Sequence, residues 1–206
     1  LLGDTVDSGP YPIESLKFLQ EKLDSKLHVK LQGNHDEAAL DKLSQSYIAI
    51  YTGKAHLPIT DWTYEQLKQN PRQRKYLKSF QAIENTDSID KVMLSHYYTN
   101  AQAHLGNGWS DPAERTLSRY AEELHENGFR LLVHGHTHRP RHYEGRVIDE
   151  DKPELKMERD ERISPLENEW SHPLHLKWDD QTVHIINVGS VGLPRCDSTN
   201  YPPHPT

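Results

Sequence analysis

Four short polar clusters, each set directly behind an apolar stretch, constrain this chain more than any other feature. They are Gly3-Asp4-Thr5-Val6-Asp7-Ser8-Gly9, Gly33-Asn34-His35-Asp36, Ser95-His96 and Gly135-His136-Thr137-His138. The stretches ahead of them are Leu1-Leu2 and residues 29–31, 92–94 and 130–133, all short enough to be buried strands. In open α/β sheets, ligands gather outside the carboxyl ends of the strands, so polar side chains at several such ends can converge on one point. The expected class is therefore α/β. Glycines just before Asp4, Asn34 and His136 permit sharp turns and close approach of backbone to a site.

Between the clusters the periodicity turns helical. Ile13, Leu16, Leu19 and Leu23 repeat at helical spacing over residues 12–23, and Pro12 stands where helix starts tolerate proline. The spacing predicts further helix over residues 37–43, two pieces broken at Pro71 over residues 63–80, and a helix over residues 112–127 with Gly128 as its stop. Residues 44–60 read as irregular. Residues 174–178 and 182–188 read as strands around Asp179-Asp180-Gln181. Residues 145–170 hold nine acidic and five basic residues, which reads as a solvated, charged insert. At 206 residues the chain is expected to be a single domain, 1–206, able to bury a core without disulfide or metal staples. Leu1-Leu2 reads as the tail of an apolar strand, and residues 200–206 finish on no element. Both ends are expected to continue in a longer protein.

Composition removes several function classes. Lys+Arg is 24 and Asp+Glu is 31, a formal charge of −7. An acidic chain is a poor non-specific binder of nucleic acid, which is expected here only as a substrate. No run approaches the eighteen or so apolar residues of a membrane span. Cys196 is the one cysteine, which rules out an internal disulfide framework and fits a reducing, cytoplasmic setting.

Histidine is abundant, with 14 residues, and it is the commonest metal ligand. His28, His56, His104, His125, His142, His172, His175, His184 and His204 match no motif and read as surface or packing residues, and His134 reads as strand-end structure. The clusters themselves offer carboxylate, amide oxygen and imidazole, with no thiolate. That donor set suits Mn, Fe, Zn, Ni or Co. Two such ions about 3.5–4 Å apart can clamp a phosphoryl group and generate hydroxide at neutral pH. Asp4 is placed to bridge two ions, and His136 and His138, two apart on a loop, can serve neighbouring ones. Each residue also has a plainer reading: Asp4 and Asp7 as caps, Asn34 and Asp36 as turn and N-cap residues, His96 as a strand-end histidine.

In this order and spacing, the four clusters resemble the calcineurin-like metallophosphoesterases. The run Asn187-Val188-Gly189-Ser190-Val191-Gly192-Leu193-Pro194-Arg195 is similar to the N-P-G-S-V-G-x-P-R element of the bacterial and archaeal phosphodiesterase branch, with Val188 in place of proline. The resemblance implies a four-layer α/β/β/α sandwich, two divalent metal ions, and hydrolysis of a small phosphate mono- or diester by a metal-bound hydroxide. It implies Asp4 as the bridging carboxylate, Asn34, His96 and His136 as ligands of the second metal, and His138 as a ligand of the first. His35 would contact the phosphate and protonate the leaving oxygen, with Asp7 orienting it.

Two departures qualify the match. The family's first strand carries Asp-x-His, which occurs nowhere in these 206 residues. The strand bearing it is expected upstream of Leu1. An alternative reading, a non-catalytic protein-binding scaffold on the same fold, draws on that lack; the presence of Asp7, His35 and the second-metal ligands speaks against it. Ser8 and Asp36 stand where the Ser/Thr protein phosphatase branch has Arg and Glu, which disfavours a dedicated protein phosphatase. Arg139 and Arg195 are left as unassigned candidates for phosphate contact.

Overall fold

The computed structural model describes residues 1–7, 9–27, 29–41, 57–81, 87–96, 114–138, 140–147, 155–159 and 176–189. Ser8, Arg139 and Arg195 lie outside the described residues. The class is mixed α/β, as expected. The chain divides into two compact units, Leu1–Ile89 with Met93–Gly108, and Asp90–Val92 with Trp109–Thr206.

The first unit is mainly helical. α1 (Pro12–Phe18) starts on proline and buries Pro12, Ile13 and Leu16. It runs on as a wider π turn over Leu19–Leu23 and a tight 3-10 turn over Asp24–Lys26. α2 (Asn34–Leu40) begins at the Gly33-Asn34 turn, three residues earlier than its apolar spacing indicates. α3 (Leu57–Gln69) starts well before Thr63, the expected point. Pro58 sits in its first turn, where a missing N–H costs nothing, so the residues from Leu57 to Trp62 still hold helix. Asn70 breaks the helix, since a residue ahead of proline is pushed out of the helical region, and α4 (Pro71–Lys78) follows.

These helices close over Val6, Ile13, Leu16, Ala39, Leu40, Leu67, Tyr76, Leu77 and Phe80, with Leu1 and Leu19 at the margin. The expected strand at residues 29–31 is reduced to single parallel bridges, Leu2 to Leu31 and Leu31 to Gln81. Leu31 is completely buried there. Gly3-Asp4 and Asn34 thus leave neighbouring backbone rows together. β1 (Asp87–Ile89) and β2 (Val92–Ser95) follow, and β2 delivers His96.

Among the described residues, the second unit is a sheet with one helix. α5 (Glu114–Glu126) buries Leu117, Tyr120, Ala121 and Leu124, the three-and-four spacing of a single helix face. Gly128, at φ 82°, ends it in the left-handed conformation that glycine adopts without strain. β3 (Leu131–His134), β4 (Pro140–Val147), β5 (Leu155–Arg159) and β6 (Thr182–Val188) lie in the order β3-β6-β4-β5. β3 pairs parallel to β6 with His134 opposite Asn187. β4 is antiparallel to both β6 and β5. The charged stretch expected as an insert therefore supplies the end of β4 and all of β5. Residues 176–178 form no ladder, although a strand was expected there. Among the described residues, no helix is long and apolar enough to cross a membrane.

Candidate metal centre

In the first unit the backbone rows ending at Leu2 and Leu31, and strand β2, bring Asp4, Asn34 and His96 together. His96 Nε2 lies 3.1 Å from Asn34 Oδ1 and 3.4 Å from Asp4 Oδ1. His96 Nδ1 is 2.6 Å from the Leu2 carbonyl. A carbonyl can only accept, so Nδ1 carries the proton and, in the neutral ring, Nε2 presents its lone pair. A lone pair facing an amide oxygen and a carboxylate oxygen is the arrangement that a cation between them satisfies. The hydrogen bond from the opposite ring nitrogen to a backbone carbonyl is the usual way a ligating histidine is oriented. On this donor chemistry, the residues present fit a divalent metal ion.

Close packing of backbone makes the convergence possible. A Cβ on Gly3 would stand 2.7 Å from Gly33 N, and one on Gly33 would stand 2.7 Å from His96 Cε1 and press on Asp4. Gly3 also has φ 90°, in the region that favours glycine. The two glycines are spacers that let three ligand atoms meet.

A second arrangement sits beside it. His35 Nδ1 lies 2.6 Å from Asp7 Oδ2, with both side chains buried. A further link runs from His35 N–H to Asp4 Oδ1 at 3.1 Å. The carboxylate fixes the proton on Nδ1 and leaves Nε2 as the atom that can exchange a proton with a ligand.

Asp36 holds the two loops to one another, a role that sequence reasoning did not assign. Its Oδ1 accepts from Thr5 N–H at 2.8 Å and Val6 N–H at 3.0 Å, and its Oδ2 accepts from Gly33 N–H at 2.9 Å. Burial, and after it the nearby charge of Asp4, push this carboxyl up to about 7, against the pull of the three N–H groups. The signal in the sequence is an acidic residue three after the N-cap, but that signal shows only the Gly33 contact.

His136 and His138 belong to the second unit, on the turn that follows β3. Both are half-buried, with Thr137 buried between them. Asn187, on β6 opposite His134, organises this turn. Its Nδ2 donates to the Gly135 carbonyl and, at 3.0 Å, to Thr137 Oγ1, and its Oδ1 accepts from Gly189 N–H at 2.8 Å. Asn187 was noticed only as the first residue of an extended motif. His142 and His184, read as surface or packing residues, are buried in the sheet and stack with Nε2 and Nδ1 3.0 Å apart.

Backbone strain marks the same positions. Among the described residues, non-glycine positive φ occurs at Asp4 (52°), Asp7 (92°), His136 (66°), His138 (58°) and Asp90 (52°). The first four are among the candidate site residues read from the sequence. Such conformations cost of order 1–3 kcal/mol each and persist where the surroundings over-determine them.

The comparisons with known proteins bear on the family and the fold. A family described as calcineurin-like phosphoesterase matches residues 1–140, which carry all four clusters. Among solved structures, a metallophosphoesterase from Sphaerobacter thermophilus is similar, with a TM-score of 0.52 and 23% identity, over 94% of this chain and 66% of that one. At that identity the likeness speaks for the fold alone, and the chain spans just under two thirds of that protein's length. No curated protein matches the chain.

Proposed function

The chain belongs to the calcineurin-like phosphoesterase family, and from that premise we propose that it hydrolyses a phosphate mono- or diester using two divalent metal ions. When bound, such ions supply a water-derived nucleophile at neutral pH and neutralise charge on the phosphoryl oxygens. Asp4, Asn34 and His96 would hold one of them, and the family's motif pattern assigns His136 and His138 to metal ligation as well. His35 would give the proton from Nε2 to the leaving oxygen. Asp7, bonded to Nδ1, would keep the ring turned toward that oxygen and stabilise it while it carries two protons.

The observation that supports this reading most is the coexistence of two devices within one unit. A ligand trio at 3.1 and 3.4 Å stands beside a carboxylate–imidazole pair at 2.6 Å. A binding scaffold needs neither. The substrate is proposed as a small phosphate ester, with phosphodiesters, phosphomonoesters, nucleotides and dinucleoside polyphosphates all within the chemistry. A cytoplasmic setting is the matching proposal for location.

The test is hydrolysis of phenyl and nitrophenyl phosphates and of bis-nitrophenyl phosphate by the full-length protein, with Mn, Fe, Zn, Ni and Co in turn. Metal-dependent release from at least one ester class is the expected result. Bound metal with no hydrolysis of any ester would favour the scaffold.

A further inference from the structure

Asp7 receives two donors on one oxygen. His35 Nδ1 is 2.6 Å from Oδ2, and Thr60 Oγ1 donates to the same atom at 3.0 Å. Thr60 and Asp7 are both completely buried. A helical threonine ordinarily turns its hydroxyl back to the carbonyl four residues earlier, as Thr63 does to Ile59 at 3.0 Å. Thr60, in the first turn of α3, aims at Asp7. Asp7 itself has φ 92°, a conformation that a residue with a side chain keeps only when its surroundings hold it.

We propose that Thr60 is a positioning residue for His35, acting through Asp7; this rests on the proposed phosphoester hydrolysis. A carboxylate gripped by His35 alone can rotate about its Cβ–Cγ bond and carry the imidazole with it. The Thr60 hydroxyl fixes Oδ2, Oδ2 fixes Nδ1, and the ring plane then determines where Nε2 places its proton. Nothing in the chain is oxidised or transferred in this role. It is a constraint on direction, and α3 is the element that imposes it.

Two substitutions separate this role from packing. Thr60→Val keeps the shape and removes the donor; Thr60→Ser keeps the donor and removes a methyl group. In the full-length enzyme, Thr60→Val should lower kcat on phenyl phosphate about tenfold, a part of the roughly 10²–10⁴-fold that general acids contribute. KM, bound metal and the rate on nitrophenyl phosphate should hold, and Thr60→Ser should match the wild type. The metal-free protein offers an independent readout in the His35 Nδ1 proton resonance, shifted far downfield by its short bond to a carboxylate. Thr60→Val should move and broaden it, and Thr60→Ser should not. Equal phenyl and nitrophenyl losses, a serine variant as slow as the valine one, or an unmoved resonance would overturn the proposal. If the wild type hydrolyses no ester with any metal, the hydrolytic reading fails, and the resonance still decides whether Thr60 holds the Asp7–His35 pair.

Discussion

His35 Nδ1 and Asp7 Oδ2 meet at 2.6 Å although their residues lie 28 apart in the chain, and both side chains are shut off from solvent. Removed from competing water, such a bond is strong and directional. His35→Ala is expected to leave metal content near that of the wild type and to slow phenyl phosphate hydrolysis by about 10²–10⁴-fold. Nitrophenolate leaves without protonation, so the loss on nitrophenyl phosphate should be much smaller. Parallel assays of the two esters, with elemental analysis of the variant, check this; equal losses would take the acid role away from His35.

Asp36 gives a stability prediction with a sign. Its carboxyl is raised from the usual value near 3.8 to about 7, first by burial and then by Asp4. The folded state therefore keeps a proton that the unfolded chain releases. This group's contribution is fully present below about pH 4 and is lost as pH rises through about 7. In metal-free protein the urea midpoint should fall between pH 5 and pH 8, and Asp36→Asn should flatten that slope. Asp36→Ala should be the more damaging change, because it orphans the Thr5, Val6 and Gly33 N–H groups at roughly 1–3 kcal/mol for each one left buried. Urea titrations of both variants at the two pH values decide it.

The convergence of Asp4, Asn34 and His96 was legible because each stands directly behind an apolar stretch, and neighbouring strand ends bring such residues together. Asp36 and Thr60 were not, for a physical reason. Their decisive bonds reach 30 to 53 residues along the chain, and a non-local hydrogen bond leaves no local pattern. Asp36 looked like an N-cap but stands at the third position of the helix, where one oxygen only, Oδ2, caps by accepting from Gly33 N–H. Thr60 closes a stretch, residues 44–60, that reads as irregular until Pro58 is recognised as a first-turn residue. β5 was hidden by charge, although Leu155 and Met157 alternate with Lys156 and Glu158 at the period of a strand. Leu31 misled in the other direction: its apolar neighbours predict a ladder, and only bridges form.

Gly33 has an ordinary negative φ of −103°, so replacing it tests space and not backbone strain. A methyl group there would stand 2.7 Å from His96 Cε1 and against Asp4. Gly33→Ala is expected to spread the ligand trio and weaken manganese binding by about 10–100-fold, the range seen when the groups that orient metal ligands are disturbed. Calorimetric titration of the metal-free variant measures it. Unchanged affinity would mean that Asp4, Asn34 and His96 do not share an ion.

Asn187 supplies the last prediction, because its two ends do opposite jobs. Nδ2 must donate to the Gly135 carbonyl and the Thr137 hydroxyl, while Oδ1 must accept from Gly189 N–H. Asn187→Ala removes these bonds together with the contact of Nδ2 to His134 Nδ1 at 3.3 Å, and each buried partner left unsatisfied costs about 1–3 kcal/mol. Asn187→Asp keeps the acceptor for Gly189 but turns a second oxygen, with its charge, onto the Gly135 carbonyl. It should therefore be worse than alanine, even though aspartate is closer in shape. The turn it holds keeps His136 and His138 at φ 66° and 58°, so loosening it should let both relax and should reduce metal affinity along with stability. Thermal unfolding and manganese titration of the two variants give the ranking, and an aspartate variant as stable as the wild type would show that the turn is held by something other than Asn187.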